Sequence, residues 1–298
     1  SGVVVKPFRG WGAIDRTRSQ GGLMGFAADL LSGLTGYYNT SNSFRPETPA
    51  ISILLTDLPN PTSDGKDYGI TLNIGNKFVL RANKYSTKQI NSRAGQSAIF
   101  ATRTLRVDFA NFAGNNDAIS LQRQARNWLG PNGPNGANGL TGPALEDAVA
   151  NLMGLTPAQL AQFNNNVISE TSDVIAKGNE YEVSFNPNNF WTLRANLTRQ
   201  ESIDANLSPN IPAWIKQRIP IWEKIVDPRA VAAGFPVGTT WLDTGYNGDN
   251  PQVGSGTPRT FLTNNVVNPL AIVQATEGKA RPQTREWRFN LNTSYRLA

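Results

Sequence analysis

Apolar and polar side chains alternate on both sides of a short turn in the stretch DYGITLNIGNKFVLRANKYS, from Asp67 to Ser86. A period of two residues is that of a β-strand, so the stretch predicts a β-hairpin. The apolar positions share one face: Tyr68, Ile70, Leu72 and Ile74 before the turn, and Phe78, Leu80 and Ala82 after it. A protein core and a lipid bilayer would both select this pattern.

A second hairpin with the same alternation is predicted between Asn179 and Gln200, NEYEVSFNPNNFWTLRANLTRQ. The turn is predicted at NPNN, which keeps Pro187 out of the strand interior. The apolar face again precedes and follows the turn: Tyr181, Val183 and Phe185, then Trp191, Leu193, Ala195 and Leu197. Two further strands are predicted near Gly2–Phe8 and Leu34–Phe44, with a short helix between them.

The segment REWRFNLNTSYRL predicts one more strand, whose alternation runs over eleven residues from Trp287 to Leu297. Thr293 is the weak position of its apolar face. Soluble strands average about 5–6 residues, whereas a tilted membrane-spanning strand needs about 9–11. The length therefore favours a lipid environment.

The connections between these strands fall into two classes. The hairpin turns are short, whereas the connections near residues 45–66, 89–172 and 202–284 are long. Helix signals lie in the middle connection, where Thr156 and Gln159 are spaced as a capping box and Gly142-Pro143 opens a second helix. Transmembrane β-barrels have short turns on one side and long loops on the other.

A barrel assigns positions to two sets of residues. The short-turn rim would carry an aromatic girdle, predicted at Phe78, Phe190, Trp191 and Trp287. The lumen would be lined by the polar faces of the strands, predicted at Arg81, Asn83, Glu180, Glu182, Arg194, Asn196, Arg288 and Asn290. Arg194 is also the expected ion-pair partner of one of the two glutamates.

The composition excludes several classes of function. The chain has no cysteine and no histidine, which removes thiol nucleophiles, disulfides and the commonest general base and metal ligand. Its net charge of +6 comes from scattered lysines and arginines, so we expect no nucleic-acid partner. The sequence contains no run of ~18 apolar residues, so no transmembrane helix is predicted. We expect no enzyme activity, no cofactor and no metal.

Three motifs offer chemistry, each with a simpler alternative. Glu180 and Glu182 share a strand face, as acid–base pairs do, but solvated acids are the simpler interpretation. The stretch DTGYNGDN, from Asp243 to Asn250, suggests calcium but fails the EF-hand pattern, which favours a polar turn. Aromatics of the last long loop are candidate ligand-binding residues, with packing inside the loop as the alternative: Trp214, Trp222, Trp241 and Tyr246.

Several of these segments resemble the TonB-dependent outer-membrane receptor family. SDVIAKGNEYEVSFNPNNFWTLRANLTR resembles a hairpin of the C-terminal half of that family's barrel, through Lys177-Gly178, Glu180, Asn186-Pro187 and the Trp191-x-Leu193 opening of the return strand. GKDYGITLNIGNKFVLRANKY resembles an earlier hairpin, and RPQTREWRFNLNTSYRL a strand close to the barrel's end.

The resemblance implies an all-β fold, an antiparallel meander of long strands that forms an open segment of a transmembrane barrel, with short helices in the long loops. About seven strands are predicted, against about 22 in such transporters, so the expectation is a barrel segment across residues 1–298 with the plug and remaining strands absent. Residues 89–172 form a partly helical insert and residues 202–284 an aromatic, proline-rich loop.

The function implied is capture of a scarce nutrient (an iron chelate, cobalamin or a glycan) at the surface of a Gram-negative bacterium. Expected partners are outer-membrane lipid, the ligand and the inner-membrane TonB complex, reached through the plug. The alternative is a secreted β-rich adhesin or glycan-binding protein, in which a second sheet covers the apolar faces. Aromatics at the strand ends with aliphatic residues between them would favour lipid.

Overall fold

The computed structural model describes residues 2–5, 21–75, 77–93, 95–109, 117–134, 136–282 and 284–297. Seven strands of this part of the chain form one open antiparallel sheet in the order β1-β2-β3-β4-β5-β6-β9. The strands are β1 (Gly2–Val5), β2 (Leu34–Phe44), β3 (Thr62–Ile74), β4 (Phe78–Ser92), β5 (Ser172–Asn188), β6 (Trp191–Ala205) and β9 (Trp287–Tyr295). The predicted antiparallel meander is confirmed. The remainder of the predicted strand Gly2–Phe8 lies outside the described residues.

The two predicted hairpins form with long strands and tight turns. β3 and β4 pair from Ile74–Phe78 to Thr62–Ile90, and Gly75 turns the chain with a φ of 53°. Residues 189 and 190 join β5 to β6, so the turn lies later in the chain than the predicted NPNN turn at residues 186–189. Pro187 instead lies at the irregularity between Phe185 and Asn188, where the ladder needs no proline N–H.

Helices and two short strands lie in the connections. The helices are α1 (Gly22–Ser32), α2 (Gln96–Asp108), α3 (Leu121–Leu129), α4 (Gly142–Leu152), α5 (Pro157–Asn165), α6 (Ile211–Trp222), α7 (Pro258–Leu262) and α8 (Asn268–Gln274), with a π-helical turn at Thr263–Val267 and 3₁₀ turns at Gly136–Asn138 and Trp241–Asp243. The short strands are β7 (Tyr246–Asn247) and β8 (Asn250–Pro251).

Local capping explains where two of these helices begin. Thr156 accepts from the backbone N–H of Gln159 at 3.2 Å, and the Gln159 side chain accepts from the Thr156 N–H at 2.9 Å. This is the predicted capping box, and α5 starts directly after it. α4 begins at Gly142 with a proline in its first turn, as the Gly142-Pro143 pair predicts.

Three long connections lie at the same end of the sheet, and we call residues 45–61, 93–171 and 206–286 the loop layer. The tight turns after β3 and β5 lie at the opposite end, the short-turn rim. α1 also lies at the short-turn end, because it directly precedes β2. That strand begins at this end, with Leu34 opposite Leu72. The predicted segregation of long and short connections therefore holds for β2 to β9, with the β1–β2 connection as the exception.

The hydrophobic core lies in the loop layer. Among the described residues, every buried apolar side chain except Ala28 belongs to it, including residues of all three connections such as Ile53, Leu105 and Trp222. The predicted short helices pack together into a unit with its own core. The sheet strands contribute no buried apolar side chain to it.

Candidate functional site

The strand register builds one continuous apolar face across the sheet. Residues opposite one another in an antiparallel ladder share a face, and the pairings define rows that cross the strands. The central row is entirely aliphatic: Leu34, Leu72, Leu80, Val183, Ala195 and Leu291. Leu291 is 64% exposed, and the other members of the row are half-buried.

Aromatic side chains lie on both sides of that aliphatic row. Towards the short-turn rim, the rings of Phe78 and Phe185 are 6.4 Å apart, and Trp191 pairs with Tyr295 in the last row. Towards the loop layer, the rings of Tyr38 and Tyr68 are 6.5 Å apart. Tyr181 and Phe289 occupy the row between, and Trp287 the row of Tyr68. The aromatics therefore form two bands.

The height of this face can be taken from β9. Its nine residues span about 27 Å along the strand. A tilt of ~40° reduces this height to about 21 Å, near the ~25 Å apolar band of transmembrane barrels.

The weak apolar position at Thr293 has a structural explanation. Its hydroxyl oxygen accepts a hydrogen bond from the indole N–H of Trp191 at 2.9 Å. The indole N–H, the one polar group of the Trp191 side chain, is thereby satisfied on an otherwise apolar surface. Thr293 is therefore the hydrogen-bond partner of Trp191.

The four residues predicted to form a girdle divide between the two ends of the sheet. Phe78, Phe190 and Trp191 lie at the short-turn rim, but Trp287 lies opposite Arg199, eight residues along β6 from Trp191. The reason is the strand direction: β9 follows a long connection, so its first residue is on the loop side. Tyr295 occupies the short-turn position instead, and Trp287 is in cation–π contact with Arg199 at 5.6 Å.

The opposite face of the sheet is polar. All eight residues predicted to line a lumen belong to it by register: Arg81, Glu182, Asn196 and Asn290 form one row, Asn83, Glu180 and Arg288 the next, and Arg194 the row nearer the short-turn rim. The expected partner of the glutamates was wrong. Arg194 lies opposite Ser184, and Glu182 pairs with Arg81 at 3.5 Å.

Two tyrosines on the polar face pack onto glycines of the neighbouring strand. Tyr37 is opposite Gly69 and Tyr85 is opposite Gly178. A Cβ on Gly69 would lie 2.9 Å from Cε1 of Tyr37, and one on Gly178 would lie 2.7 Å from the Tyr85 hydroxyl. A ring that covers a strand glycine fixes the register. These pairs were not predicted from the sequence, although a glycine inside an alternating strand is their signal.

The four candidate ligand-binding aromatics are not exposed. Trp222 and Trp241 have 0% exposure, Trp214 5% and Tyr246 6%. The expectation that these side chains form an exposed stacking surface is therefore wrong. The alternative, that they pack inside the loop, agrees with their burial. Their rings bury apolar area that the three loops cannot bury separately.

Two of these tryptophans enclose a buried ion pair. Arg218 donates to both carboxylate oxygens of Asp108, at 3.0 and 2.5 Å, and to the carbonyl of Met153 at 2.7 Å. The Trp222 indole donates to the same carboxylate at 2.9 Å, and the guanidinium carbon is 5.4 Å from the Trp214 ring centroid. This pair joins α2 to α6.

The acidic residues of DTGYNGDN are held by different arginines. Asp243 accepts from Arg259 at 2.6 and 3.0 Å, and Asp249 accepts from Arg123 at 2.5 Å. These hydrogen bonds hold the pKa of both carboxyls below the ordinary value. The segment forms the β7–β8 hairpin around Gly248 (φ 59°), which agrees with the polar-turn alternative. The part of the chain that the structure describes holds no cluster of three or more acidic side chains that could bind a metal.

Glu170 is a buried carboxyl that links the three loops. It accepts from the backbone N–H groups of Ile53 at 3.3 Å and Asn210 at 3.4 Å, and from the Asn210 amide at 3.2 Å. Burial raises the pKa of Glu170 above its ordinary value of 4.5, against the opposing effect of these hydrogen bonds. Sequence pattern gave no sign of this residue.

No protein-family model and no curated protein matches the chain. Among solved structures, it is similar to the alcaligin outer-membrane receptor FauA from Bordetella pertussis, at 15% identity and a TM-score of 0.29. The match covers 58% of this chain and 20% of that receptor, so it spans about a fifth of the receptor's length. Such a likeness is too weak to establish a fold or a function. The described helices all lack the length and apolar composition of a membrane-crossing helix.

Proposed function

We propose that the chain is part of an outer-membrane receptor, in which the sheet is a segment of a transmembrane β-barrel. The observation that carries the proposal is the bare apolar face, with its aliphatic central row between two aromatic bands. Water would leave that area without a stabilising contact, whereas lipid supplies one. Aromatic bands at both edges suit the two membrane–water interfaces.

The opposite face supports a water-filled or plug-filled lumen. It carries the Arg81–Glu182 ion pair and a hydrogen bond from the Tyr37 hydroxyl to Asn83 at 2.6 Å. Strands that alternate lipid-facing and polar positions are the pattern of barrels. In this proposal β1 and β9, which end the described sheet, pair with further strands of the receptor.

The loop layer supports the receptor part of the proposal. It lies at one end of the sheet and folds into a unit with its own core. The external loops of a nutrient receptor need such a core, because they must present a defined binding surface. In this proposal the ligand is an iron chelate, cobalamin or a glycan, uptake is energised by TonB through a plug, and the chain catalyses no reaction.

The alternative, a secreted adhesin or glycan-binding protein, needs a second sheet or a partner on the apolar face. The described part of the chain contains one large sheet and the two-stranded β7–β8 ribbon. The ribbon belongs to the loop layer, so it leaves the apolar face bare.

Flotation with phosphatidylcholine vesicles tests the membrane part. The refolded protein is expected to float with the vesicles and to stay with them after a urea wash, and recovery of folded protein in the vesicle-free fraction would contradict a transmembrane sheet. The receptor part is tested separately, by titrating the vesicle-bound protein with ferric chelates, cobalamin and oligosaccharides while tryptophan fluorescence is recorded. Saturable binding of one class is expected, and no response to any class would contradict the receptor part alone.

A further inference from the structure

Four lysines surround one serine on the sheet face that carries the apolar rows. Lys66 and Lys177 lie directly opposite Ser86, on β3 and β5 respectively. Lys84 and Lys88 are two residues before and after Ser86 on β4, so all four side chains project from the same face as Ser86. We call this group the lysine cross. All four lysines are exposed.

The lysine cross begins where the apolar face ends. Lys84 is opposite Tyr68, in the aromatic band nearer the loop layer, and the other three lysines lie one or two rows closer to the loops. In the proposed orientation, the loop layer stands above one leaflet of the membrane. The lysine cross then lies at the boundary between the hydrocarbon and the headgroups of the leaflet below the loop layer. Lysine stems lie along apolar surface while the ammonium stays in the polar region.

Acidic neighbours compensate only part of this charge. Lys177 pairs with Glu201 at 3.4 Å. Asp64 is opposite Lys88 in the register, but no carboxylate among the described residues lies within ion-pair distance of Lys66, Lys84 or Lys88. Lys66 and Lys177 are each diagonal neighbours of Lys84 and Lys88, about 7–8 Å apart, so these like charges repel one another. An anion between them would remove that repulsion.

We propose that the lysine cross binds the phosphate groups of anionic lipid headgroups in the leaflet below the loop layer. The proposal rests on the proposed membrane function, because only an inserted sheet places Ser86 at the headgroup level. The choice of a lipid rather than a soluble phosphate comes from continuity with the apolar face, since Tyr68 and Lys84 are direct neighbours across the ladder.

The test compares two triple variants with the same change of charge. K66Q/K84Q/K88Q removes the three lysines of the cross that form no ion pair within the described part of the chain. The control, K216Q/K224Q/K279Q, removes three exposed lysines of the loop layer. Binding of each protein is measured to phosphatidylcholine vesicles and to vesicles that also contain phosphatidic acid, at low and high salt.

Phosphatidic acid is expected to strengthen binding of the wild type and of the control variant. The cross variant should lose affinity for these vesicles by about 100-fold, since each lysine at an anionic surface contributes roughly a factor of five. High salt should remove the difference by screening. Affinity for pure phosphatidylcholine should be unchanged.

Three outcomes would overturn the proposal. An equal loss in both variants would mean that net charge alone attracts the lipid. Binding by the wild type that is indifferent to phosphatidic acid would leave insertion intact and contradict the lysine cross. If stoichiometric sodium pyrophosphate abolished the strengthening of binding by phosphatidic acid, the lysine cross would be a site for a soluble anion. Failure of the wild type to enter any vesicle contradicts the proposed membrane function instead.

Discussion

The sheet and the loop layer bury their apolar side chains in opposite ways. The loop layer encloses Trp222 and Trp241 at 0% exposure, whereas Phe289 and Leu291 on the sheet are 63% and 64% exposed. Both regions are ordered, hydrogen-bonded structure, so the difference lies in the surroundings that each is built for. The loop layer supplies its own core, and the sheet supplies one half of an interface. The account therefore predicts that similar substitutions have opposite consequences in the two regions.

The largest expected effect is in the loop layer, at the buried ion pair. D108A leaves the Arg218 guanidinium buried without its carboxylate, which should destabilise the loop layer by about 3–5 kcal/mol. The control is E146Q, at a pair with Arg126 whose side chains are 44% and 34% exposed, where a loss of at most ~1 kcal/mol is expected. Tryptophan near-UV circular dichroism during urea unfolding measures both. Similar losses in the two variants would mean that this region is not a water-excluding core.

On the sheet, the comparison is sharpened by one pair of neighbouring positions. L291R places a charge on the apolar face and should cost about 2–4 kcal/mol near the bilayer midplane. N290R, on the polar face, should be tolerated. Urea unfolding in phosphatidylcholine vesicles measures the difference. Because Leu291 is exposed in the protein itself, a water-facing sheet would tolerate both within about 0.5 kcal/mol, and equal effects would contradict the account.

A smaller effect is expected where tyrosine covers glycine. G69A would bring a Cβ to 2.9 Å from the Tyr37 ring and 2.5 Å from the Ala82 carbonyl oxygen, at an overpacking cost of about 1–3 kcal/mol. G36A is the matched control, since the nearest atom to its Cβ would be 3.9 Å away. Unfolding in the same vesicles should show a loss for G69A alone. Loss of the same size in G36A would mean that glycine flexibility, not ring packing, matters there.

The smallest expected effect is a pH dependence in the loop layer. Because burial raises the folded-state pKa of Glu170, its protonated form favours the folded state, and this contribution is present below pH ~4.5 and lost as the pH rises through the raised pKa. The wild type should therefore lose stability relative to E170Q as the pH rises through the raised pKa, whatever the constant cost of placing an amide opposite the N–H donors. Thermal unfolding across this pH range measures it. A constant difference at every pH would exclude titration of Glu170 as the cause.

Much of the sheet was predictable because strand periodicity is a strong local signal. The hairpins, the alternation of β9 and all eight polar-face residues were identified from the sequence. Trp287 was misplaced because periodicity gives the face of a residue but not the strand direction, which depends on the preceding long connection. The Arg81–Glu182 pair joins β4 to β5 across the whole middle connection, so no local pattern specified it.

The loop layer was the harder region. Its helix starts at Gly142 and Thr156 carry local capping signals and were predicted. The Trp222 indole donates to Asp108, which lies more than one hundred residues earlier in the chain. Contacts of that separation follow from tertiary packing. From the sequence alone, the aromatics of the long loop were therefore equally compatible with a ligand-binding surface and with a core. The structure shows that the three loops pack together around them.

The central claim is that the apolar face contacts lipid, and a spin-label scan of β9 tests it most directly. The chain has no native cysteine, so single cysteines at positions 288 to 292 carry one nitroxide each in vesicles. The account predicts that labels at 289 and 291 collide with oxygen dissolved in the bilayer, and that labels at 288, 290 and 292 collide with a water-soluble nickel chelate or are shielded inside the barrel. Access of the nickel chelate to the label at 291 would contradict the claim.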